Sequence, residues 1–376
     1  MPQPPLRVLM VARLLDAGGI ERDVSKFARH LSSFGIHPHV GCFNSGGMRW
    51  RELENAGIPL VTIPVRSFRS LSAIKGAYVL RQYLVEKNIQ IVHAFDLPAD
   101  LFCVPLTRLF GVTVLASQLC YRDLFPRHVR WVMPVVDRLA KDVFVNCEGL
   151  ADHLNIDWKL SRKHIHVCHN GYEVQEFNPL GRRRPKDLAN ASIVVGTVAL
   201  LRPEKNIGML IEAFAALHRV DDRARLLIVG SGPQKTELEQ KVEELGLTDV
   251  CVFQPTVSAP ADWMRAIDIF VLPSISEGFS NSLLEAMACG CCPVASRVGG
   301  TPELVNNGER GILFEPGNRK ELSDALVQLA QHPKEQQRMA ANAASFVREH
   351  LTIQQASARL AAIYRNLVSD LRNQND

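Results

Sequence analysis

Two glutamates, Glu277 and Glu285, enclose a seven-residue segment that follows the apolar run FVLPS at 270–274. The run is typical of a buried strand, and Ser280 is a favourable N-cap for a helix that would carry Glu285. Because free N–H groups at a helix start bind phosphate, this segment predicts a site for a phosphorylated ligand. Besides the two glutamates, its candidate contact residues are Gly278, Phe279, Ser280, Asn281 and Ser282.

Three further loops could contribute to such a site. The run Arg-Pro-Glu-Lys-Asn at 202–206 lies between a predicted strand and a predicted helix, and its Lys205 could supply positive charge to a leaving group. A lysine at a helix start can equally lie in solvent. Glycine pairs follow predicted strands at Gly18–Gly19 and at Gly230–Gly232. Glycine lets the backbone approach a ligand closely, although an ordinary strand-to-helix turn has the same sequence pattern.

Apolar runs of strand length alternate with amphipathic helical patterns along the chain, which favours doubly wound α/β sheets. The runs are rich in Val and Ile and mostly do not alternate in polarity, as expected of parallel strands covered on both faces. The predicted strands are 7–12, 37–43, 59–64, 89–95, 112–117, 142–147, 164–170, 192–201, 224–232, 250–255, 267–274, 291–300 and 311–317. Helices fill the gaps, and Gly35 is the expected stop of the first one.

The length of 376 residues favours two domains. A polar, basic break with two prolines and three consecutive arginines at 182–184 suits a linker between them. A solvated linker explains these arginines better than a phosphate or membrane contact does. We therefore predict a first domain at 1–178, a linker at 179–191, a second domain at 192–355 and a last helix at 356–376.

Composition excludes several classes of protein. The formal net charge of +4, without a basic tail, argues against nucleic-acid binding. No apolar segment approaches the roughly 20 residues of a membrane span, and the start lacks the charged region of a signal peptide. Nine irregularly spaced cysteines indicate free thiols in a reducing compartment. Cys289, Cys291 and Cys292 are close together but lack a second ligand cluster, so we expect no metal site. The free thiols, together with the lack of a membrane span, predict a cytoplasmic protein.

The combined pattern resembles the nucleotide-sugar site of retaining glycosyltransferases of family 4, which have the GT-B fold. The resemblance covers essentially the whole chain and is densest at 192–303. It implies two Rossmann-like domains that face each other across a cleft, and a last helix that crosses back to the first domain. It also implies retaining transfer of a hexosyl group from a UDP- or GDP-sugar to a hydroxyl of a glycan or lipid-linked acceptor, in cell-surface polysaccharide or glycolipid synthesis.

The resemblance also assigns roles to the candidate residues. Glu277 would contact the donor sugar, Lys205 would face the diphosphate and Glu285 would accept hydrogen bonds from the ribose hydroxyls. Phe253, with the segment to Thr256, would lie along the base. The residues that would approach the donor through their backbone are Gly18, Gly19, Gly230, Gly232 and those of the Gly278–Ser282 turn. Since these groups replace a metal ion, we expect no metal and no cofactor.

The chain departs from the family pattern in two loops. Leu200 stands where the family has an arginine, and Arg202 is the candidate replacement. A histidine usual after the fifth strand is missing from 114–123, where Gln118, Arg122 and Asp123 are the polar residues that could reach an acceptor. His93, which ends the fourth predicted strand, is the remaining candidate catalytic histidine, although a histidine at that position is more often structural.

These departures leave two alternatives open. One is a nucleotide-sugar-binding protein with weakened or lost transfer activity, and the other is a GT-B epimerase or hydrolase. A nicotinamide dehydrogenase is disfavoured, because no Gly-x-Gly-x-x-Gly follows the first strand. Basic and aromatic residues interleave at 66–84 and 121–141. Those stretches fit ordinary helices on a sheet or a peripheral contact with the inner face of a membrane, which would suit a lipid-linked acceptor. The sequence does not indicate an oligomeric state.

Overall fold

The computed structural model describes residues 5–16, 18–255 and 259–375, with side chains to residue 369. The chain divides into two compact units. Unit 1 comprises Met1–Asn170 with Ile353–Asp376, and unit 2 comprises Gly171–Thr352. None of the helices in the described ranges has the length and apolar character needed to cross a membrane.

Strands and helices alternate through both units, as the sequence predicts. The strands are β1 (Leu6–Ala12), β2 (Ile36–Cys42), β3 (Leu60–Thr62), β4 (Ile91–Ala94), β5 (Thr113–Gln118), β6 (Asp142–Val145), β7 (Ile165–Val167), β8 (Val194–Val198), β9 (Arg225–Val229), β10 (Cys251–Gln254), β11 (Ile269–Leu272), β12 (Cys292–Ser296) and β13 (Ile312–Phe314). The helices are α1 (Gly19–His30), α2 (Met48–Asn55), α3 (Leu71–Glu86), α4 (Leu97–Leu109), α5 (Arg127–Ala140), α6 (Glu148–Asp152), α7 (Ile207–His218), α8 (Lys235–Glu244), α9 (Pro260–Ala266), α10 (Asn281–Ala288), α11 (Thr301–Val305), α12 (Arg319–Gln331), α13 (Pro333–His350) and α14 (Ile353–Asn375).

Unit 1 contains a seven-stranded sheet in the order β3-β2-β1-β4-β5-β6-β7. All of its pairings are parallel. Alternate residues of β1 enter two different cores, because successive side chains of a strand point to opposite faces. Val8 and Met10 pack with α1 and α14 on one face. Leu9 and Val11 pack with α3, α4 and α5 on the other.

Unit 2 contains a six-stranded parallel sheet in the order β10-β9-β8-β11-β12-β13. Its main core joins alternate residues of β8 and β9 to the apolar faces of α7, α8 and α12. In each sheet the strand order reverses once, between β1 and β4 in unit 1 and between β8 and β11 in unit 2. In open α/β sheets, ligands bind at the carboxyl ends of the strands beside such a switch point.

The unit boundaries differ from the predicted domain boundaries. Unit 2 begins at Gly171 and includes the whole predicted linker. Hydrogen bonds explain this: Tyr172 N donates to Leu351 O at 3.0 Å, while Arg182 and Arg184 both bind the carboxylate of Asp268. Two arginines of the basic triplet thus bind a residue next to β11, so this segment is part of unit 2.

The last helix, α14, belongs to unit 1, as the family resemblance implies. It starts at Ile353, three residues before the predicted position. Its buried residues recur at spacings of three and four, which places one apolar stripe against β1 and α1. This stripe includes Ala356, Leu360, Tyr364 and Leu367.

Candidate active site

The switch point of unit 2 brings together the two loops with the strongest chemical signal. Lys205 follows β8 and Glu277 follows β11, and these strands are neighbours in the sheet. Lys205 Nζ lies 2.6 Å from Glu277 Oε1, which also accepts a hydrogen bond from Ser274 Oγ at 2.6 Å. Ser274 is fully buried and Lys205 is partly exposed. The ammonium group is therefore held at the carboxyl edge of the sheet, within reach of an incoming anion.

Backbone hydrogen bonds join the neighbouring loops into one frame. Ile275 N donates to Glu204 O at 2.9 Å and links the β11 loop to the β8 loop. Gly300 N donates to Gly278 O at 2.7 Å and links the β12 loop to the β11 loop. Leu201 N donates to Ser231 O at 3.0 Å and adds the β9 loop. Four strand ends thus position the Lys205–Glu277 pair.

Two glycines permit the close approach of these loops. Gly299 has a φ of 51°, and a Cβ atom there would lie 2.1 Å from Glu277 O. Gly230 has a φ of 150°, and a Cβ atom there would lie 1.8 Å from Ala199 O. A side chain at either position would push two loops apart. Gly232 packs in the same way against the backbone of Leu201.

Helix α10 starts beside the ion pair. Ser280 is its N-cap, and Ser280 Oγ accepts a hydrogen bond from Leu283 N at 3.4 Å. Phe279 is buried and anchors the turn, whereas Gly278, Asn281 and Ser282 are partly exposed. The first N–H groups of a helix and its dipole favour an anion at this end. Glu285 lies on the second turn, and its side chain is 1% exposed.

The remaining predicted donor contacts of unit 2 are less closely assembled. Arg202 is exposed, and its guanidinium is 3.9 Å from the carboxylate of Glu204. Leu200, at the position of the family arginine, is 39% exposed. Phe253 is half-buried in β10, the edge strand, and packs on the core. Thr256, the end of the segment expected along the base, lies outside the described residues.

In unit 1, Gly18 and Gly19 form the start of α1, as predicted. The carboxylate of Glu21 folds back over Gly18, so that a Cβ atom there would lie 1.9 Å from Glu21 Oε2. Burial raises the pKa of Glu21, and the nearby carboxylates of Asp96 and Asp16 raise it further. Asp96 follows β4 and caps α4, accepting hydrogen bonds from Ala99 N at 2.8 Å and Arg13 N at 2.7 Å.

His93 lies in the interior of unit 1 and not at an accessible edge. Its side chain is 0% exposed, its Nδ1 is 2.7 Å from Tyr364 Oη and its Nε2 is 2.9 Å from Ser117 Oγ. Burial holds the pKa of His93 well below its usual range. Both ring nitrogens are engaged and no substrate can reach them. The interpretation of His93 as catalytic is therefore corrected: it is a buried structural residue.

Two of the three polar candidates at the end of β5 and just after it are also structural. Arg122 is 1% exposed and forms a bidentate ion pair with Asp137, at 2.8 and 2.7 Å. Gln118 is buried and binds both Cys120 O and Arg122 Nε. Asp123 remains exposed, beside Arg130. Of these three residues, Asp123 alone has a side chain available to an acceptor.

The sequence contains two recognised family signatures, one in each half. Residues 17–176 match the family described as Glycosyltransferase Family 4, and residues 182–346 match Glycosyl transferases group 1. A D-inositol 3-phosphate glycosyltransferase from an Arthrobacter species is 32% identical over 355 residues, which cover 85% of this chain and 83% of that relative. The chain belongs to glycosyltransferase family 4. The relatives that it matches are named as glycosyltransferases.

Two further comparisons concern a second relative and a solved structure. The D-inositol 3-phosphate glycosyltransferase of Paenarthrobacter aurescens is 31% identical over 246 residues, and the match spans 63% of this chain and 60% of that relative's length. Among solved structures, Anabaena HepE in complex with UDP and glucose superposes with a TM-score of 0.83 at 21% identity, covering 96% of this chain and 100% of HepE. This likeness confirms the predicted GT-B class of the fold.

Two residues that position neighbouring groups escaped the sequence-based interpretation. Ser274 binds the Glu277 carboxylate, and its place at the end of the FVLPS run was the available signal. Asp96 directly follows β4 and precedes a helix with proline in its first turn, which is a recognisable capping pattern. Ser274 thus positions the Glu277 carboxylate, and Asp96 caps the start of α4.

Proposed function

We propose that the protein transfers a hexosyl group, with retention of anomeric configuration, from a UDP- or GDP-sugar to a hydroxyl of a glycan or lipid-linked acceptor. The observation that carries this proposal is the Lys205–Glu277 pair at the switch point of unit 2, beside the start of α10. A cation, a carboxylate and the N-terminal end of a helix at one edge suit a ligand with both phosphates and sugar hydroxyls.

On the donor side, the diphosphate would lie against Lys205 and the first N–H groups of α10. As the bond between the anomeric carbon and the phosphate oxygen breaks, negative charge grows on the leaving diphosphate, and these groups stabilise it. Glu277 would hold donor sugar hydroxyls, and Glu285 would accept hydrogen bonds from the ribose. These fixed charges take the place of a divalent metal in the proposed reaction.

Retention follows if the acceptor attacks from the face that the diphosphate leaves. The new bond joins the anomeric carbon to the acceptor oxygen through an oxocarbenium-like transition state. The acceptor proton passes to an oxygen of the departing phosphate, so no protein base is needed. This scheme agrees with the burial of His93, which removes the histidine proposed as a catalytic residue.

The acceptor and compartment belong to the same proposal. Because two relatives are named for inositol 3-phosphate, we would test phosphorylated polyols as acceptors beside glycans and lipid-linked sugars. All nine cysteines are free thiols, which suits a reducing compartment, and we propose the cytoplasmic side of a membrane as the place of synthesis.

The first experiment is thermal stability against UDP, GDP, ADP and their sugars. A ligand that binds the folded state raises the melting temperature by mass action. HepE was solved with UDP, so the uridine series comes first. Glu285→Ala should abolish the shift relative to its own ligand-free melting temperature, whereas the exposed Glu244→Ala on α8 should retain it. No shift with any nucleotide in the wild type would contradict the proposed donor site.

Turnover is tested next, by NMR of the donor and product anomeric signals with and without acceptors. Retained configuration in the product and full activity in EDTA are the expected results. An inverted product or a strict requirement for added metal would overturn the proposed mechanism. Sugar release or epimerisation without any acceptor would instead identify a hydrolase or an epimerase.

A binding protein without turnover is the second candidate, and one observation favours it. Leu200 replaces the family arginine, and Arg202 has its side chain largely in solvent beside Glu204. The site therefore has one fewer cation near the leaving group than the family pattern provides. Leu200→Arg distinguishes the two: it should raise turnover of a weakened enzyme, whereas a binding protein should remain without turnover.

A further inference from the structure

Exposed apolar side chains are concentrated on one helical layer of unit 1. Helices α3, α4 and α5 cover the same face of the first sheet, where their inner residues share one core. Their outer surface carries large apolar residues that a globular surface seldom groups together. These residues are Leu71, Ile74, Tyr78, Val85, Leu109, Trp131, Val132 and Val135, and together they form what we name the outer apolar face.

On α3, the apolar residues form one stripe. Leu71, Ile74, Tyr78 and Val85 recur at spacings of three, four and seven residues, so they lie within about 60° of one another around the helix. Gly76, Leu80 and Leu84 are buried on the opposite side. Helix α3 is therefore apolar both toward the core and toward solvent, and the core does not explain its outer stripe.

Helix α5 repeats this arrangement with an aromatic residue. Trp131 is 79% exposed, and Val135 lies one turn further on, with Val132 beside them. Met133, Val136 and Ala140 supply the inward face. Helix α4 lies between α3 and α5: its Phe102 stacks on Phe68 at 6.2 Å, next to α3, and α4 packs against α5. The stripes of α3 and α5 therefore lie on one helical layer, on either side of α4, which adds the exposed Leu109.

Positive charge surrounds this surface. Residues 66–141 contain eleven Lys and Arg against five Asp and Glu, an excess of six, whereas the whole chain has 43 against 39, an excess of four. The exposed cations of this segment are Arg66, Arg69, Lys75, Arg81, Arg108, Arg127, Arg138 and Lys141. Its exposed acids, Glu86 and Asp123, pair with Lys87 and Arg130. The remaining cations therefore leave a strongly positive rim.

We propose that the outer apolar face docks unit 1 on the surface of an anionic lipid bilayer. Tyr78 and Trp131 are residue types that favour the level of the headgroups, the aliphatic residues reach the acyl boundary, and the cations meet anionic lipids. A second copy of this chain fits poorly, because self-association through this face would place two positive rims together. The inference concerns where unit 1 binds and goes beyond the proposed transfer reaction.

The test is cosedimentation of the full chain with phosphatidylcholine vesicles that contain or lack phosphatidylglycerol. The expected result is binding to the anionic vesicles, a blue shift of tryptophan fluorescence, and loss of binding at ~1 M salt, where the Debye length is roughly 3 Å. The double variant Ile74→Glu with Trp131→Glu should lower the partition coefficient at least about tenfold. The matched control is Val220→Glu with Leu245→Glu, two exposed apolar positions of unit 2 that should keep wild-type binding.

Each other outcome has a definite meaning. Absence of vesicle binding, or equal binding to neutral and anionic vesicles, overturns the proposal. A dimer in light scattering that the Ile74→Glu, Trp131→Glu variant dissolves, without vesicle binding, would show that a second copy covers this face and also overturns it. Circular dichroism and the nucleotide-dependent melting shift of the double variant should match the wild type, so failure of docking is distinguishable from failure of the donor site.

Discussion

Lys205 Nζ lies 2.6 Å from Glu277 Oε1, and this ion pair joins two loops that are 72 residues apart in the sequence. The pair depends on the reversal of strand order that makes β8 and β11 neighbours. Without a ligand, each charge partly neutralises the other. In the proposed reaction, a diphosphate would compete with Glu277 for the ammonium group of Lys205.

Lys205→Ala should weaken binding of the nucleoside diphosphate much more than binding of the free nucleoside. A hydrogen bond to a charged group contributes about 1.5–3 kcal/mol, which corresponds to a tenfold or greater loss of affinity. Isothermal titration of both ligands measures the difference. The control is Lys241→Ala, which removes a lysine that pairs with Glu212 on neighbouring helices of the same unit. Equal loss for the nucleoside and the diphosphate would show that Lys205 does not face the phosphates.

Gly299→Ala should disturb the site more than the same change at Gly317. Both glycines have positive φ, 51° and 79°, so both substitutions cost about 1 kcal/mol in backbone strain. A Cβ atom at Gly317 meets nothing within 4 Å, whereas one at Gly299 would lie 2.1 Å from Glu277 O. Only Gly299→Ala should therefore also lower nucleotide affinity, measured by titration beside the melting temperature. If the two variants behave alike, the contact between the β11 and β12 loops is unimportant for binding.

The sequence predicts much of this fold because parallel strands that are covered on both faces leave continuous apolar runs. Every predicted strand overlaps a strand of the structure, from β1 at Leu6–Ala12 to β13 at Ile312–Phe314. Gly35, with a φ of 69°, ends the first helical segment as expected. Glu277 and Lys205 lie between a strand and a helix, and Glu285 lies on the helix that follows, because local residue patterns specify these turns.

The remaining features depend on contacts between distant residues, which local patterns do not encode. His93 is a structural residue because its two ring nitrogens bind Tyr364, 271 positions later, and Ser117 on the next strand. Arg122 is a structural residue because its guanidinium forms a buried ion pair with the carboxylate of Asp137 on α5. The predicted linker belongs to unit 2, where its Arg182 and Arg184 bind Asp268. The sequence alone shows none of these partners to be adjacent.

Tyr364→Phe should destabilise unit 1 by about 1–3 kcal/mol, because it leaves buried His93 Nδ1 without its partner. The control is Tyr78→Phe, in which the lost hydroxyl is exposed and binds only the neighbouring Gln82 on the same helix. Urea denaturation of both variants measures the difference. Equal stabilities would mean that the contact between α14 and β4 is sustained by apolar packing alone.

The contribution of buried His93 to the stability of unit 1 should fall as the pH decreases below about 6.5, the ordinary pKa of histidine. Burial keeps His93 neutral in the folded state and lowers its pKa, so the unfolded chain takes up a proton that the folded chain does not. The free energy of unfolding then declines by up to ~1.4 kcal/mol per pH unit for this group. His39, whose pKa burial lowers to about 4, acts with the same sign. The raised pKa of buried Asp100 acts in the opposite direction above about pH 4, so the His93 contribution must be isolated by difference.

That difference is the unfolding free energy of the wild type minus that of His93→Gln, measured by urea denaturation across this pH range. It should decrease as the pH falls, since only the wild type contains the titrating ring. Tyr364→Phe is the control, because it retains the buried imidazole and should keep the wild-type slope at a lower overall stability. A difference that does not change with pH would mean that the His93 ring is protonated equally in both states, which its enclosure by Phe95, Phe144 and Tyr364 argues against.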